Sequence, residues 1–367
     1  MRSLGIDPGT RNYDLCCIED HVDNIVLDKS IPTEIVAQDP FRVFEIVREV
    51  KPDVIVGPSG YGVEFKHISR FTEADLALTT LDRAGDVDIP VLTGLRRILW
   101  MMKDAGLNAY SAPGVILLPS VPPHRKVNKI DMGTADKTCV ALYAVWDQAE
   151  EYGIPYDETS LICVEMGFGY NAAIAVEKGC VVDGVGGTIF PGPSYLALGQ
   201  MDGELAYILG RFSKLKLFEG GATFIAAQKI LEPEDFTSNL DKYKLAWRSL
   251  MEGIVKAVAM LWKSFDKEPM EIILTGRLSR VEKLRRDLEE LLYEKFKVNV
   301  RRPLHNFAVE AKEAAQGAAL MANGIGGGRY RGLVDAMRIR EAAGTVLDYI
   351  FLPNLSKEFI IESLRSI

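Results

Sequence analysis

Two stretches of the same form constrain this chain more than any other feature. Leu4-Gly5-Ile6-Asp7-Pro8-Gly9-Thr10 is a short apolar run that ends in an acid, a glycine and a hydroxyl, and residues 13–19 read as the strand that returns from it. Leu161-Ile162-Cys163-Val164 is a second apolar run. It ends in Glu165-Met166-Gly167-Phe168-Gly169-Tyr170-Asn171, and residues 172–176 return. A strand end that throws an acid into a glycine turn lets the backbone approach a ligand closely, with N–H groups and the Thr10 hydroxyl available to phosphate oxygens. An Asp-Pro-Gly hairpin turn with no ligand explains the first stretch equally well when it is taken alone. Two such hairpins, one in each half of the chain and facing each other across a cleft, would clamp a nucleotide triphosphate from both sides.

The pattern around each hairpin repeats. Strands at about 2–7, 13–19 and 24–31 precede a helix opened by Asp39-Pro40 and a buried strand at 53–56, the order βββαβ. Strands at 161–166, 172–176 and 180–185 precede helical segments at 203–212, 223–229 and 242–265, a strand at 271–275, a charged helix at 281–296, a strand at 298–301 and an alanine-rich helix at 309–323. This is a duplication of architecture rather than a short repeat. Residues 63–90 read as an irregular insertion, 91–104 as a helix and Gly114-Val115-Ile116-Leu117-Leu118 as a further strand. The expected domains are 1–158, 159–328 and a tail at 329–367 that packs on the body or on a dimer partner.

With 367 residues, 48% of them hydrophobic, the chain is long enough for two domains with a substantial core. A net charge of −8 argues against wholesale binding of nucleic acid or an anionic membrane. Five cysteines sit mostly inside apolar runs with no Cys-x-x-Cys, so they read as reduced core residues, and four scattered histidines offer no transition-metal pair. No secretory signal or bilayer-length apolar run is evident, and a cytoplasmic protein is expected.

Three further segments carry chemistry. Gly57-Pro58-Ser59-Gly60-Tyr61-Gly62 follows a strand directly, at the carboxyl end where ligands bind in open α/β sheets, although a plain turn explains it too. The loop 119–137 gathers His124, Arg125, Lys126, Lys129 and Lys137 in an otherwise acidic chain, which would attract an anionic ligand; for any one of them a solvated surface charge is the simpler reading. Its end, Thr134-Ala135-Asp136-Lys137, opens a helix, where an acid also stabilises the helix dipole. Leu274-Thr275-Gly276-Arg277 ends a buried strand in a glycine turn whose N–H groups suit a nucleotide's phosphates or ribose edge.

Taken together, Asp7-Pro8-Gly9-Thr10, residues 165–171, Leu274-Thr275-Gly276-Arg277 and the helix at 309–323 resemble the phosphate 1, phosphate 2, adenosine and second connector elements of the actin, sugar kinase, Hsp70 and acetate kinase superfamily. More closely, the chain resembles an archaeal family labelled predicted butyrate kinases. The resemblance implies an α/β fold of duplicated actin-like, ribonuclease H-like domains with a nucleotide cleft between them. It also implies ATP with Mg²⁺ held through water by Asp7 and Glu165. Nucleotide contacts would fall on Asp7, Gly9, Thr10, Arg11, Glu165, Gly167, Gly169, Tyr170, Asn171, Gly276 and Arg277. The chain departs from the superfamily in having Glu165 where phosphate 2 usually has Asp, and Arg277 where the adenosine turn usually has a second glycine. The metal-binding His motif of the related carbamoyltransferases is absent. Gly133-Thr134-Ala135-Asp136-Lys137 and Gly186-Gly187-Thr188-Ile189-Phe190-Pro191-Gly192 are in addition similar to segments of type III pantothenate kinases, which would make Asp136 the proton acceptor.

The expected activity is that of an ATP-dependent kinase for a small anionic substrate, in the first place a carboxylic acid. A hydroxyl acceptor needs a general base, for which Asp136 is the candidate. A carboxylate acceptor is already ionised and needs cations instead, for which Arg125, Lys126 or Lys137 are candidates. A non-catalytic nucleotide-binding protein of the same fold is the remaining alternative, and a homodimer is a possible assembly.

Overall fold

The computed structural model describes residues 1–20, 25–57, 59–86 and 88–365. His21, Asn24 at the head of the expected third strand, Pro58 of the glycine turn and Val87 lie outside the described residues. The apolar runs form two five-stranded mixed sheets of one design. Strands β1 (Arg2–Pro8), β2 (Asn12–Glu19), β3 (Ile25–Pro32), β4 (Val54–Val56) and β5 (Ala109–Tyr110) lie in the order β3-β2-β1-β4-β5. Strands β6 (Ser160–Met166), β7 (Asn171–Glu177), β8 (Cys180–Val185), β9 (Glu271–Thr275) and β10 (Asn299–Arg301) lie in the order β8-β7-β6-β9-β10. In each sheet the first strand pairs antiparallel with the strand its hairpin returns and parallel with the fourth.

β6 is apolar along nearly its whole length because both its faces are covered. Leu161 and Cys163 point into a core shared with the first sheet, while Ile162 and Val164 point into a second core under the helix Lys244–Trp262. The central core is built on two long helices, Ala135–Tyr152 and Glu313–Ile325, that pack on each other and on the two hairpin strands. Glu313–Ile325 follows the second sheet in sequence yet lies against β1 of the first. Its alanines allow this approach, and so does Gly5: a Cβ there would stand 2.1 Å from the Ala315 carbonyl and 2.3 Å from the Ala319 amide. Gly5→Ala is therefore expected to cost about 3 kcal/mol, overpacking against backbone that has no room to yield. Chemical denaturation of the variant measures it, and a loss below ~0.5 kcal/mol would contradict the packing.

Three expectations change. Residues 114–118 are not a strand: Val115–Leu117 forms a 3₁₀ turn, and Ala109–Tyr110 supplies the fifth strand. The run is apolar because Val115, Ile116, Leu117 and Leu118 are all buried, and a short buried run carries no period that tells strand from turn. Residues 63–90 are not irregular throughout, since Glu73–Thr80 is a helix started by a capping box in which Thr72 and Asp75 satisfy each other's amides. The alanine-rich helix begins at Glu313 rather than 309, because the amides of Val309, Glu310 and Ala311 are held by the Asp28 carboxylate of β3. The tail packs on the body: Leu333, Val334, Met337 and Ile339 are wholly buried in the central core.

Candidate functional site

The two acids occupy the same place in the two sheets, at or next to the end of each hairpin's first strand. In each turn the glycine amide donates across the loop, Gly9 to the Asn12 carbonyl at 3.0 Å and Gly167 to the Tyr170 carbonyl at 3.1 Å. The tips meet, for a Cβ on Gly169 would fall 2.3 Å from the Thr10 hydroxyl. Around them opens a cleft of about 150 Å³. It is lined by Asp7, Gly9, Thr10 and Arg11 of the first hairpin and by Glu165, Gly167, Gly169 and Tyr170 of the second. Ser59, Gly60 and Tyr61 of the glycine turn line it as well, and so do Asp136, Lys137 and Arg277.

Charge is concentrated at the floor. Lys137 donates to Asp136 and stands 2.5 Å from Glu165 Oε2, and Asp136 also accepts from the Thr134 hydroxyl. Burial alone would pull the Lys137 ammonium down, but the Asp136 and Glu165 carboxylates outweigh it and hold the group protonated well above its ordinary range. Asp7 is 5% exposed and its Oδ1 has no hydrogen-bond donor among the described residues. Burial first, then the charge of Asp136, pushes its carboxyl up to about 7 against the pull of Lys312 and Lys137. Burial raises Glu165 too, against the pull of Lys137. Lys312, which immediately precedes the 313–325 helix, pairs with the buried Asp14 opposite Asp7 in the β1–β2 register. Its ammonium is lowered by burial.

The mouth is cationic and aromatic. Arg11 lies 4.9 Å from the Phe168 ring centre and its Nη2 donates to Glu232 at 2.8 Å. Arg277 lies 5.9 Å from the same ring and its Nη1 donates to Asn12 at 3.4 Å. Arg277 thus enters the cleft by its side chain, in place of the backbone approach that a second glycine would allow.

Other sequence-based candidates sit elsewhere. Arg125 is not among the cleft residues: its guanidinium ties two carbonyls together, Val182 of β8 at 2.7 Å and Ser264 at 2.9 Å, with Asp183 at 4.0 Å. A planar fork of five donors suits that bridging role. Lys126 is buried and donates to the Leu118 carbonyl, so of the loop's candidate cations Arg125, Lys126 and Lys137 it is Lys137 that lines the cleft. Gly276, at φ +82°, turns away against Met166 and its amide donates to Glu313 at 3.2 Å. Asn171 is fully buried behind the hairpin, with its backbone amide on Ser194 and neither side-chain amide atom paired among the described residues.

Sequence reading missed three charged cleft residues, Asp131, Lys214 and Lys312. No local motif marks the two lysines. Asp131 belongs to the loop already singled out, and its carboxylate accepts from the amide and hydroxyl of Thr188, both at 2.9 Å. It thereby joins Gly186-Gly187-Thr188 to the start of the 135–152 helix, bringing together the two segments that resemble type III pantothenate kinases.

Among the described residues no group of three or more His, Cys, Asp or Glu is placed to cage a metal ion. The unpaired Oδ1 of Asp7 and the nearby Glu165 carboxylate do suit a hard cation that keeps most of its own waters, as Mg²⁺ does. Among the described residues no helix is long and apolar enough to cross a membrane.

A family model described as "Protein of unknown function (DUF1464)" matches residues 5–352. The chain belongs to this family. No curated protein sequence matches it. Among solved structures, this DUF1464 member is similar to a propionate kinase from Francisella tularensis, with a TM-score of 0.57 at 14% identity over 86% of this chain and 98% of the other. It is similar to an acetate kinase from Porphyromonas gingivalis, with a TM-score of 0.56 at 14% identity over 87% and 98%. An acetate kinase from Entamoeba histolytica gives 0.56 at 13% over 81% and 86%. At these identities the likeness is one of fold, and it places the two sheets in the two-domain actin-like arrangement of those enzymes.

Proposed function

We propose that the protein is an ATP-dependent kinase for a small acid, working in the cleft between the two hairpins. The observation that carries this reading is the convergence there of both strand-end acids with Asp136 and Lys137. Asp7 and Glu165 would hold the nucleotide's Mg²⁺ through water, and Mg²⁺ when bound supplies charge neutralisation between the phosphates. Thr10 and Gly169 would present backbone and hydroxyl donors to phosphate oxygens at the hairpin tips, while Gly9 and Gly167, whose amides close the turns, would let the backbone approach the phosphates, and Arg11 and Arg277 would supply positive charge. Lys137, kept protonated by its two carboxylates, offsets charge that develops on the transferred phosphoryl group.

The fold neighbours, named as acetate and propionate kinases, support a carboxylic acid as acceptor, the reading that the butyrate kinase label also carries. The position of Asp136 in the same charged floor supports a hydroxyl acceptor, whose proton it would take. The grouping of Asp136 with Lys137 and Glu165 in the cleft weighs against a purely nucleotide-binding role, for which no such group is needed beside the phosphates. Incubation of the protein with MgATP and panels of small carboxylic and hydroxy acids, with ADP release followed by a coupled assay, tests the reading. ADP release that depends on one acceptor is expected. Nucleotide binding with no acceptor-dependent release from either panel would count against a kinase.

A further inference from the structure

A second charge centre in this cleft has no part in the account above. Lys214 is 9% exposed and lines the cavity. Its Nζ donates to the Thr80 carbonyl at 2.5 Å and the Leu81 carbonyl at 3.1 Å, where the 73–80 helix ends, and it sits 4.7 Å from the Tyr61 ring centre. Those two bonds leave the third of its three N–H donors for a ligand. Among the described residues no carboxylate forms an ion pair with it. A buried cation with no carboxylate at ion-pair distance is costly, and burial lowers this ammonium to about 8 against the pull of Asp82, Asp131 and Asp86.

The remaining cleft cations are engaged. Lys137 serves Asp136 and Glu165, Lys312 serves Asp14, Arg11 serves Glu232, and Arg277 packs on Phe168 at the hairpin tips. Lys214 also stands in a different electrostatic neighbourhood. The acids that act on it are Asp82, Asp131 and Asp86, whereas Asp136, Lys312, Lys137 and Glu165 act on Asp7. The cavity wall adds apolar surface from Leu92, Leu95, Tyr61 and Phe218.

We propose that Lys214 binds the carboxylate of the acceptor and that the acceptor is a small hydroxy acid, anchored at its carboxylate end and phosphorylated on its hydroxyl beside Asp136. A short apolar body between the two groups matches the wall. The hydroxyl oxygen forms a bond to the γ-phosphorus of ATP, the bond from that phosphorus to the β–γ bridging oxygen breaks, ADP leaves, and the hydroxyl proton passes to the Asp136 carboxylate. This rests on the kinase reading and narrows it.

The test compares hydroxybutyrate, hydroxyvalerate and hydroxyhexanoate isomers with butyrate and butanol as matched probes, after MgATP binding to the same preparation has been measured by calorimetry. Turnover of at least one hydroxy acid is expected. Lys214→Met should raise its KM ~10²-fold or more while kcat and ATP affinity change little, as for removal of one partner of a buried charge pair. Lys214→Gln keeps an N–H donor for the carbonyls without the charge, and it reads the same loss if Lys214→Met does not fold. Butanol serving as well as the hydroxy acids, butyrate serving without a hydroxyl, or an unchanged KM in both variants would overturn the proposal and leave the kinase reading standing. Nucleotide binding with no hydroxy acid turned over also overturns it. Absence of MgATP binding removes the kinase reading and this proposal with it.

Discussion

Asp136→Asn is expected to lower kcat for a hydroxyl acceptor by about 10²- to 10⁴-fold, the usual contribution of a positioned general base. The amide keeps the size of the side chain and an oxygen for the Thr134 hydroxyl, so the start of the 135–152 helix should hold its shape. ATP affinity should stay within a few-fold, because the nucleotide is gripped by the hairpins. Steady-state kinetics at saturating nucleotide separates the two effects. The same substitution should cost far less with an acceptor whose nucleophile is already a carboxylate, since no proton then has to leave. A hydroxyl acceptor phosphorylated at the wild-type rate by Asp136→Asn would remove the residue from the mechanism.

Asp7→Asn should abolish nucleotide binding and at the same time stabilise the free protein. The Asp7 carboxyl is held at about 7 in the folded chain, against 3.8 for an unperturbed Asp, chiefly by burial and by Asp136. A folded-state pKa above the unfolded one means that the protonated carboxyl favours folding. That contribution is present in full below 3.8 and is lost as pH rises to about 7. Wild type therefore carries a penalty above pH 7 that an asparagine does not, on the order of a few kcal/mol at 1.36 kcal/mol per pKa unit. Thermal melts of the two proteins should diverge between pH 5 and pH 8, with the variant melting several degrees higher at the upper end. A gap that stays constant or narrows with pH would show that Asp7 is not strained in this way. Such a cost is what a residue kept for a cation would impose on the empty fold.

The duplicated fold was legible because its signal is local. Each hairpin announces itself as an apolar run, an acid and a glycine, and the returning strands, the long helices and the buried strands at 54–56 and 271–275 follow by period. The 114–118 run misled because full burial, not strand pairing, makes it apolar. The helix at 73–80 was overlooked although Thr72-Glu73-Ala74-Asp75 spells its capping box. At the site, the hairpin residues and Asp136 could be read because they belong to motifs. Arg125 could not be placed, since the loop's cations share a sequence neighbourhood but point to different partners, Arg125 and Lys126 to carbonyls and Lys137 to carboxylates. Lys214 and Lys312 were invisible for the converse reason: each reaches the cleft from a distant segment, and only the packing of that segment decides where its charge ends up.

The central claim is that the paired hairpins form a Mg²⁺-nucleotide site, and isothermal titration calorimetry of MgATP into wild type and Asp7→Asn tests it most directly. One-to-one binding by the wild type is predicted, together with a loss of affinity of at least ~10²-fold in the variant, whose fold is verified by its melt at the same pH. Equal affinity in the two proteins, or no heat of binding in the wild type with or without Mg²⁺, would contradict the account.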